Sequence, residues 1–253
     1  MVNIYDKKDI EMLSESGRIL SHTLSSTAAL AKHGVSTYEL NVFAEKQIKE
    51  AGAVPAFLGY KEQGMKPYPA ALCASINDEV VHCLPYRNRF LADGDIIGLD
   101  LGVNYKGYFT DMAITVGVGK VSELAAKLMD ATRESLAKAI SAARPGARIG
   151  DIGAAVQKVA VARGFEIIRD LVGHGVGKSV HEDPKVPNYG EEGVGMELRE
   201  GMVLAIEPML TEGSYKIRML PDGWGIATAD GGLSAHFEKT IAVTADGMRI
   251  LTP

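Results

Sequence analysis

Two stretches of the chain repeat one another. Asp93-Gly94-Asp95-Ile96-Ile97-Gly98-Leu99-Asp100 is echoed by Glu200-Gly201-Met202-Val203-Leu204-Ala205-Ile206-Glu207. Each is an acid-Gly turn, then an apolar strand, then a carboxylate at the same offset. Upstream, Val81-His82-Cys83-Leu84-Pro85 is matched by Val180-His181-Glu182-Asp183-Pro184, and downstream Asp111 and Glu238 each fall on the next strand, pairing back. Echoes in the same order imply a single catalytic domain, residues 1–253, built from two related halves, about 1–120 and 121–253. A site shared by such halves belongs at the seam between them.

The flanking segments fit this frame. Apolar spacing through Ile10, Leu13, Ile19, Leu20 and Leu24 predicts a helix from about Lys7 to Lys32, stopped by Gly34. Ser36 with Glu39 three residues on reads as a capping box for a helix from about Thr37 to Ala51, ended by Gly52. Two more helices are expected, from about Ser122 to Ala143, before Pro145-Gly146, and from about Ile149 to Arg163, ending at Gly164. Asp95 to Val103 and Gly107 to Val116 read as a hairpin about Asn104-Tyr105-Lys106, and Met202 to Leu210 and Ser234 to Val243 as a second strand pair. The order helix, helix, strands, taken twice, predicts a mixed α/β (α+β) fold.

Composition narrows the function. A formal net charge of -5, without clustered Lys and Arg, argues against direct nucleic-acid binding. No window of about 18 apolar residues exists to span a membrane, and residues 1–11 lack the apolar run of a signal peptide. Two cysteines, Cys73 and Cys83, make no disulfide framework and read as small buried residues. A cytoplasmic protein is expected, and a monomer, since nothing calls for an obligate partner.

The chemistry lies in acids placed where acids are expensive. Asp100, Asp111, Glu207 and Glu238 each close or interrupt an apolar strand. A buried unpaired charge costs several kcal/mol or more, so four of them with few cations nearby imply a counter-charge from outside the sequence. His174, in Gly173-His174-Gly175-Val176-Gly177, adds an imidazole on a backbone that glycine lets turn sharply and approach a site closely. This donor set suits Mn, Fe or Co, and Zn also fits. It exceeds the needs of one ion and matches two divalent ions, about 3.5–4 Å apart, bridged by carboxylates. His22, His33 and His236 read as surface or structural residues, and Asp95, Asp151 and Asp170 as caps or turn residues.

The ordered set Asp100, Asp111, His174, Glu207 and Glu238 resembles the metal ligands of the methionine aminopeptidases, the pita-bread metallopeptidases. Ser75-Ile76-Asn77, the glycine-flanked His174, His181-Glu182-Asp183-Pro184, Glu207-Pro208 and Glu238-Lys239-Thr240 resemble that family too, as do the ten residues between Asp100 and Asp111. The likeness covers nearly the whole chain. It implies a pita-bread fold and a metal-dependent aminopeptidase that removes N-terminal methionine from nascent polypeptides when the second residue is small. It further implies that Asp100 and Asp111 hold one ion and His174 and Glu207 the other, with Asp111 and Glu238 bridging. His82 and His181 would contact substrate and stabilise its oxyanion, and Glu207 would shuttle a proton. Tyr68, Cys73 and Trp224, with Tyr60 and Phe57, would line the methionine pocket. Contact with the ribosome follows only from the family's work on nascent chains. The short stretch between His181 and Glu207 resembles the compact bacterial first type.

Three features depart from the family's pattern. Val180 stands where relatives commonly carry an aromatic, Cys83 where they usually have glycine, and the segment Tyr60 to Tyr68 looks longer than usual. All three concern the pocket or its rim, not the metal ligands. Two alternatives share the resemblance: a Xaa-Pro peptidase of the same fold, which normally carries an additional N-terminal domain not seen in these residues, and a non-catalytic binding module, which would be expected to have lost ligands.

Overall fold

A computed structural model describes residues 2–61 and 66–253. Along the chain come α1 (Lys7–Ala28), α2 (Thr37–Glu50), β1 (Val54–Pro55), β2 (Leu72–Ile76), β3 (Glu79–Val81), β4 (Ile96–Tyr105) and β5 (Tyr108–Gly117). Then follow α3 (Glu123–Ala142), α4 (Ile149–Arg163), β6 (Glu166–Ile167), β7 (Gly173–Gly175), β8 (Glu182–Val186), β9 (Val203–Ile206) and β10 (Met209–Thr211). The chain closes with β11 (Ile217–Met219), β12 (Ile226–Thr228), β13 (Ser234–His236), β14 (Lys239–Thr244) and β15 (Gly247–Ile250).

The helices begin where side chains satisfy their first free N–H groups. Asp6 with Asp9, and Ser36 with Glu39, form capping boxes for α1 and α2, and the Ser122 hydroxyl caps α3. α4 ends on Gly164 in the left-handed region (φ 77°). α1 stops four residues before the expected Lys32. Leu30 and Ala31 donate to the carbonyls three residues back, tightening the chain into turns, and the Gly34 N–H leaves to bond Leu91.

Two antiparallel sheets carry the structure. In the first, β4 pairs β1 and β2 as well as β5. The β4–β5 turn is the pair Lys106-Gly107, both at positive φ, rather than Asn104-Tyr105-Lys106, because two left-handed residues match the twist of the strands they join. The second sheet runs β15-β14-β9-β7-β8. One core packs α1 and α2 on the first sheet through Leu20, Leu24, Leu40, Ile48, Leu72, Leu99 and Leu101; another packs α3 and α4 on the second through Leu128, Ile152, Val156, Leu204 and Ile241. Each such buried side chain contributes roughly 1.5–3 kcal/mol.

The expected strands Met202–Leu210 and Ser234–Val243 are both broken. Pro208 has no N–H to give a ladder, so β9 ends at Ile206 and β10 starts at Met209; the Glu207 carbonyl accepts from Asn188 Nδ2 at 3.0 Å instead. The second break falls at Phe237-Glu238, where the Glu238 N–H crosses to Ala113 of β5 at 2.9 Å. Both breaks hold an acid of the expected ligand set.

Gly17 sits where α1 meets the end of the chain: a Cβ there would lie 2.0 Å from the Leu251 carbonyl oxygen. Glycine to alanine inside a helix ordinarily stabilises by about 0.5–1 kcal/mol. Here the clash is with backbone, so Gly17→Ala is expected to destabilise the protein by about 1–3 kcal/mol in urea unfolding. A gain in stability would show that α1 is not held flush against residues 251–252.

Candidate metal centre

β5 of the first sheet and the segment running from β13, which pairs β10, into β14 of the second sheet run antiparallel, stitched largely by threonine side chains. Thr240 Oγ1 accepts from the Asp111 N–H (2.9 Å) and donates to the Asp111 carbonyl (2.8 Å). Thr115 does the same for His236, accepting from its N–H at 2.9 Å and donating to its carbonyl at 2.8 Å. Between the two, Glu238 N–H bonds the Ala113 carbonyl. The register sets the backbones of Asp111 and Glu238 close together across the seam. Asp100 reaches the same place from β4, His174 from β7, and Glu207 from the break after β9.

All five line one cavity of about 680 Å³, together with His82, His181, Phe57, Tyr60, Tyr68, Cys73 and Trp224. Every site residue singled out in the sequence is thus brought to one place. Asp100, Asp111, His174 and Glu238 are buried, and one donor atom each from Asp111, His174 and Glu238 lie within 4.8 Å of one another.

The electrostatics of this cluster call for a cation. Burial, reinforced for Asp111 and Glu238 by neighbouring carboxylates, pushes all four acids above the ordinary range. Asp100 Oδ1 and Glu238 Oε1 are buried without a hydrogen-bond partner among the described residues. Lys239, the next residue, turns its ammonium away to the Thr252 carbonyl. Burial and the neighbouring His181 lower His174 to about 3, so it stays neutral and neutralises nothing. With its Nδ1 against the Gly175 carbonyl (2.9 Å), the proton belongs on Nδ1 and the bare Nε2 faces Glu207 Oε1 at 3.4 Å and Asp111 Oδ2 at 4.0 Å. Lone pairs so opposed repel unless protons or cations lie between them. Divalent ions therefore fit the residues present.

The glycines around His174 work by close approach. A Cβ on Gly173 would lie 2.4 Å from the Ala205 oxygen, and one on Gly175 would lie 2.2 Å from the Asp183 oxygen. His82 is held at φ 60°, a left-handed conformation costing on the order of 1–3 kcal/mol for a residue with a side chain. Burial and His181 lower it to about 4, leaving it neutral. At the rim, the Tyr60 hydroxyl lies 2.6 Å from His181 Nδ1, and the His181 ring meets His174 edge-on. Beside this polar end lies an apolar one. Phe57, Tyr68, Cys73 and Val180 are buried together, and Trp224 stacks edge-on against Tyr68 with centroids 5.1 Å apart. Cys83 is buried, its thiol in reach of Gly225. Of the segment Tyr60–Tyr68, residues 62–65 lie outside the described residues.

His22 and His33 are exposed, and Asp95 and Asp151 accept backbone hydrogen bonds at their turns, as expected. His236, expected to be a surface or structural residue, is not on the surface. It is buried, with Nε2 unpartnered and 3.6 Å from Glu207 Oε2. Its place two residues before Glu238, in a segment alternating toward the cavity, was the available signal. The stitching roles of Thr115 and Thr240 left no mark in the sequence, since a strand threonine does not announce that its hydroxyl replaces a ladder bond.

Residues 11–245 match the model of metallopeptidase family M24. Methionine aminopeptidase B of Synechocystis is 44% identical, covering 97% of this chain and 89% of its own length. The methionine aminopeptidase of Aquifex aeolicus is 46% identical over 99% of this chain and 98% of its own. Among solved structures, that of the Thermotoga maritima methionine aminopeptidase superposes with a TM-score of 0.96 at 40% identity, covering 100% of this chain and 99% of the other. The chain belongs to metallopeptidase family M24, and within it to the methionine aminopeptidases. Its fold is the pita-bread fold of that family. No described helix is long and apolar enough to cross a membrane.

The buried acids make a pH prediction for the metal-free protein. Folded, they keep protons that an unfolded chain releases near pH 4, so the folded state binds more protons. That stability is lost as pH rises through the folded values, about 7 for Asp100 and about 8 for Glu207. The buried histidines work in the opposite sense, but only below their ordinary value of 6.5. The melting temperature of chelator-treated protein is therefore expected to fall between pH 6.5 and 8 and to recover on adding Mn2+. A melting temperature that is flat or rising across that window would contradict the unneutralised cluster.

Proposed function

We propose that this protein is a metal-dependent aminopeptidase that hydrolyses N-terminal methionine from polypeptides with a small second residue. The observation that carries this reading is the convergence of Asp100, Asp111, His174, Glu207 and Glu238 on one end of a cavity whose other end is aromatic and apolar. A volume of about 680 Å³ suits the end of a peptide chain. The likeness to methionine aminopeptidases over the whole chain supports the same substrate.

In this reading the domain spans residues 1–253 as two related halves. Asp100 and Asp111 come from the first and His174, Glu207 and Glu238 from the second, and this set would hold two divalent ions, whether Mn, Fe, Co or Zn, with Asp111 and Glu238 shared between them. Such ions would supply Lewis acidity and a hydroxide nucleophile at neutral pH.

The chain's own groups do the rest. Phe57, Tyr60, Tyr68, Cys73 and Trp224 receive the methionine side chain, whose thioether packs favourably on aromatic edges. His82 and His181 donate toward the oxyanion that develops on the scissile carbonyl, with Tyr60 orienting the His181 ring. The neutral imidazole of His82 suits this task, since it carries one N–H and no charge to desolvate. Glu207 takes a proton from the attacking water and passes it to the leaving amine. Nascent chains, cytoplasmic and still at the ribosome, are the substrates this activity calls for, and a monomer suffices, since both halves of the site lie on one chain.

Met-Ala-Ser should be cleaved in the presence of Mn2+, Fe2+, Co2+ or Zn2+ and spared after chelation. Cleavage of Xaa-Pro substrates alone would reject the proposed specificity, and a chain that binds no divalent ion under any loading would point to a binding module. Glu207→Gln and His174→Ala should each abolish turnover while far-UV circular dichroism stays unchanged. His181→Ala should lower kcat by about 10²–10³-fold with a smaller change in KM.

A further inference from the structure

His236 is a buried imidazole with no role in the reaction just described. Its backbone is held in both directions by Thr115, through the two hydrogen bonds of the seam. Its side chain is 4% exposed, and Nε2 is buried with no hydrogen-bond partner. Leaving such a group unsatisfied costs about 1–3 kcal/mol, so its placement requires an explanation. The carboxylate oxygen within 4 Å of it is Glu207 Oε2, at 3.6 Å, just beyond hydrogen-bond length, and Asp100 is the other carboxylate whose charge it senses.

The two oxygens of Glu207 are divided between two imidazoles. Oε1 faces the bare Nε2 of His174, on the side of the Asp111–His174–Glu238 group, and Oε2 faces His236, which stands outside that group. A carboxylate that ligates a metal through one oxygen is commonly fixed by a donor on the other. We propose that His236 is a positioning residue for Glu207: its Nε2–H donates to Oε2 and holds Oε1 toward the metal, while Thr115 holds His236. The contact closes by a few tenths of an ångström when Glu207 is drawn to a cation, since hydrogen bonds at such sites are often long before the site is loaded. This rests on the metal-centre reading above.

The test uses the full chain, made metal-free, with Mn2+ as the probe. Calorimetric titration of the wild type, His236→Leu and His236→Gln should show Mn2+ binding weakened about 10–100-fold in the leucine variant and restored to within about threefold by glutamine, whose amide N–H can replace the donor. On Met-Ala-Ser, the leucine variant should lose kcat with KM little changed. A role confined to packing would leave the leucine and glutamine variants alike. A leucine variant that binds Mn2+ within about twofold of wild type, or a glutamine variant as weak as leucine, overturns the proposal while leaving the metal centre standing. Wild-type protein that binds no Mn2+ overturns both. Should the leucine variant not fold, 15N-histidine spectra of the Zn2+-loaded wild type decide: a protonated, exchange-protected Nε2 on His236 is expected, and an unprotonated or metal-bound Nε2 refutes it.

Discussion

Four carboxylates share one buried cavity, and the structure around them exists to keep like charges close. In water they would separate. Here Asp111 and Glu238 are pinned by backbone hydrogen bonds across a seam, Asp100 by a strand paired on both edges, and Glu207 by a proline-enforced break. The repulsion is not relieved by basic side chains: Lys239 points elsewhere and His174 stays neutral. The protein thereby carries an electrostatic deficit that retained protons fill in the metal-free state and that divalent cations suit.

The apolar end of the cavity answers a different requirement. Phe57, Tyr68, Cys73 and Val180 pack together, and in the proposed reaction a substrate side chain entering this end would bring its own backbone against His82, His181 and Glu207. Binding energy gained on the side chain is thus converted into position at the reacting bond. Tyr60 belongs to both ends, touching His181 with its hydroxyl and the apolar cluster with its ring.

Much of this was readable from the residues. The helices were, because Ser36 with Glu39 and the glycines at 52 and 164 act locally and need no tertiary context. The convergence of the four acids on one cavity was, because an acid inside an apolar strand contradicts its surroundings. Pro208 was a legible warning that the strand from Met202 does not continue to Leu210. The break at Glu238 had no such mark, because it depends on a hydrogen bond to Ala113, far away in sequence. The surroundings of His236 were hidden for the same reason: they are set by Glu207 and Thr115, which only folding brings near. The short strands β10 to β13 are too brief to leave a periodic trace.

The threonine-stitched seam also bears on how the molecule comes together. Two of the expected ligand acids lie on one side of it, and the histidine with the other two on the opposite side. Neither half alone can offer a complete cage, and the hydroxyl staples form only once both sheets are in register. Under the proposed metal-centre reading, cation uptake would be thermodynamically tied to docking: whatever pries the sheets apart would also release a cation held by this set, and free cation would oppose that opening by mass action.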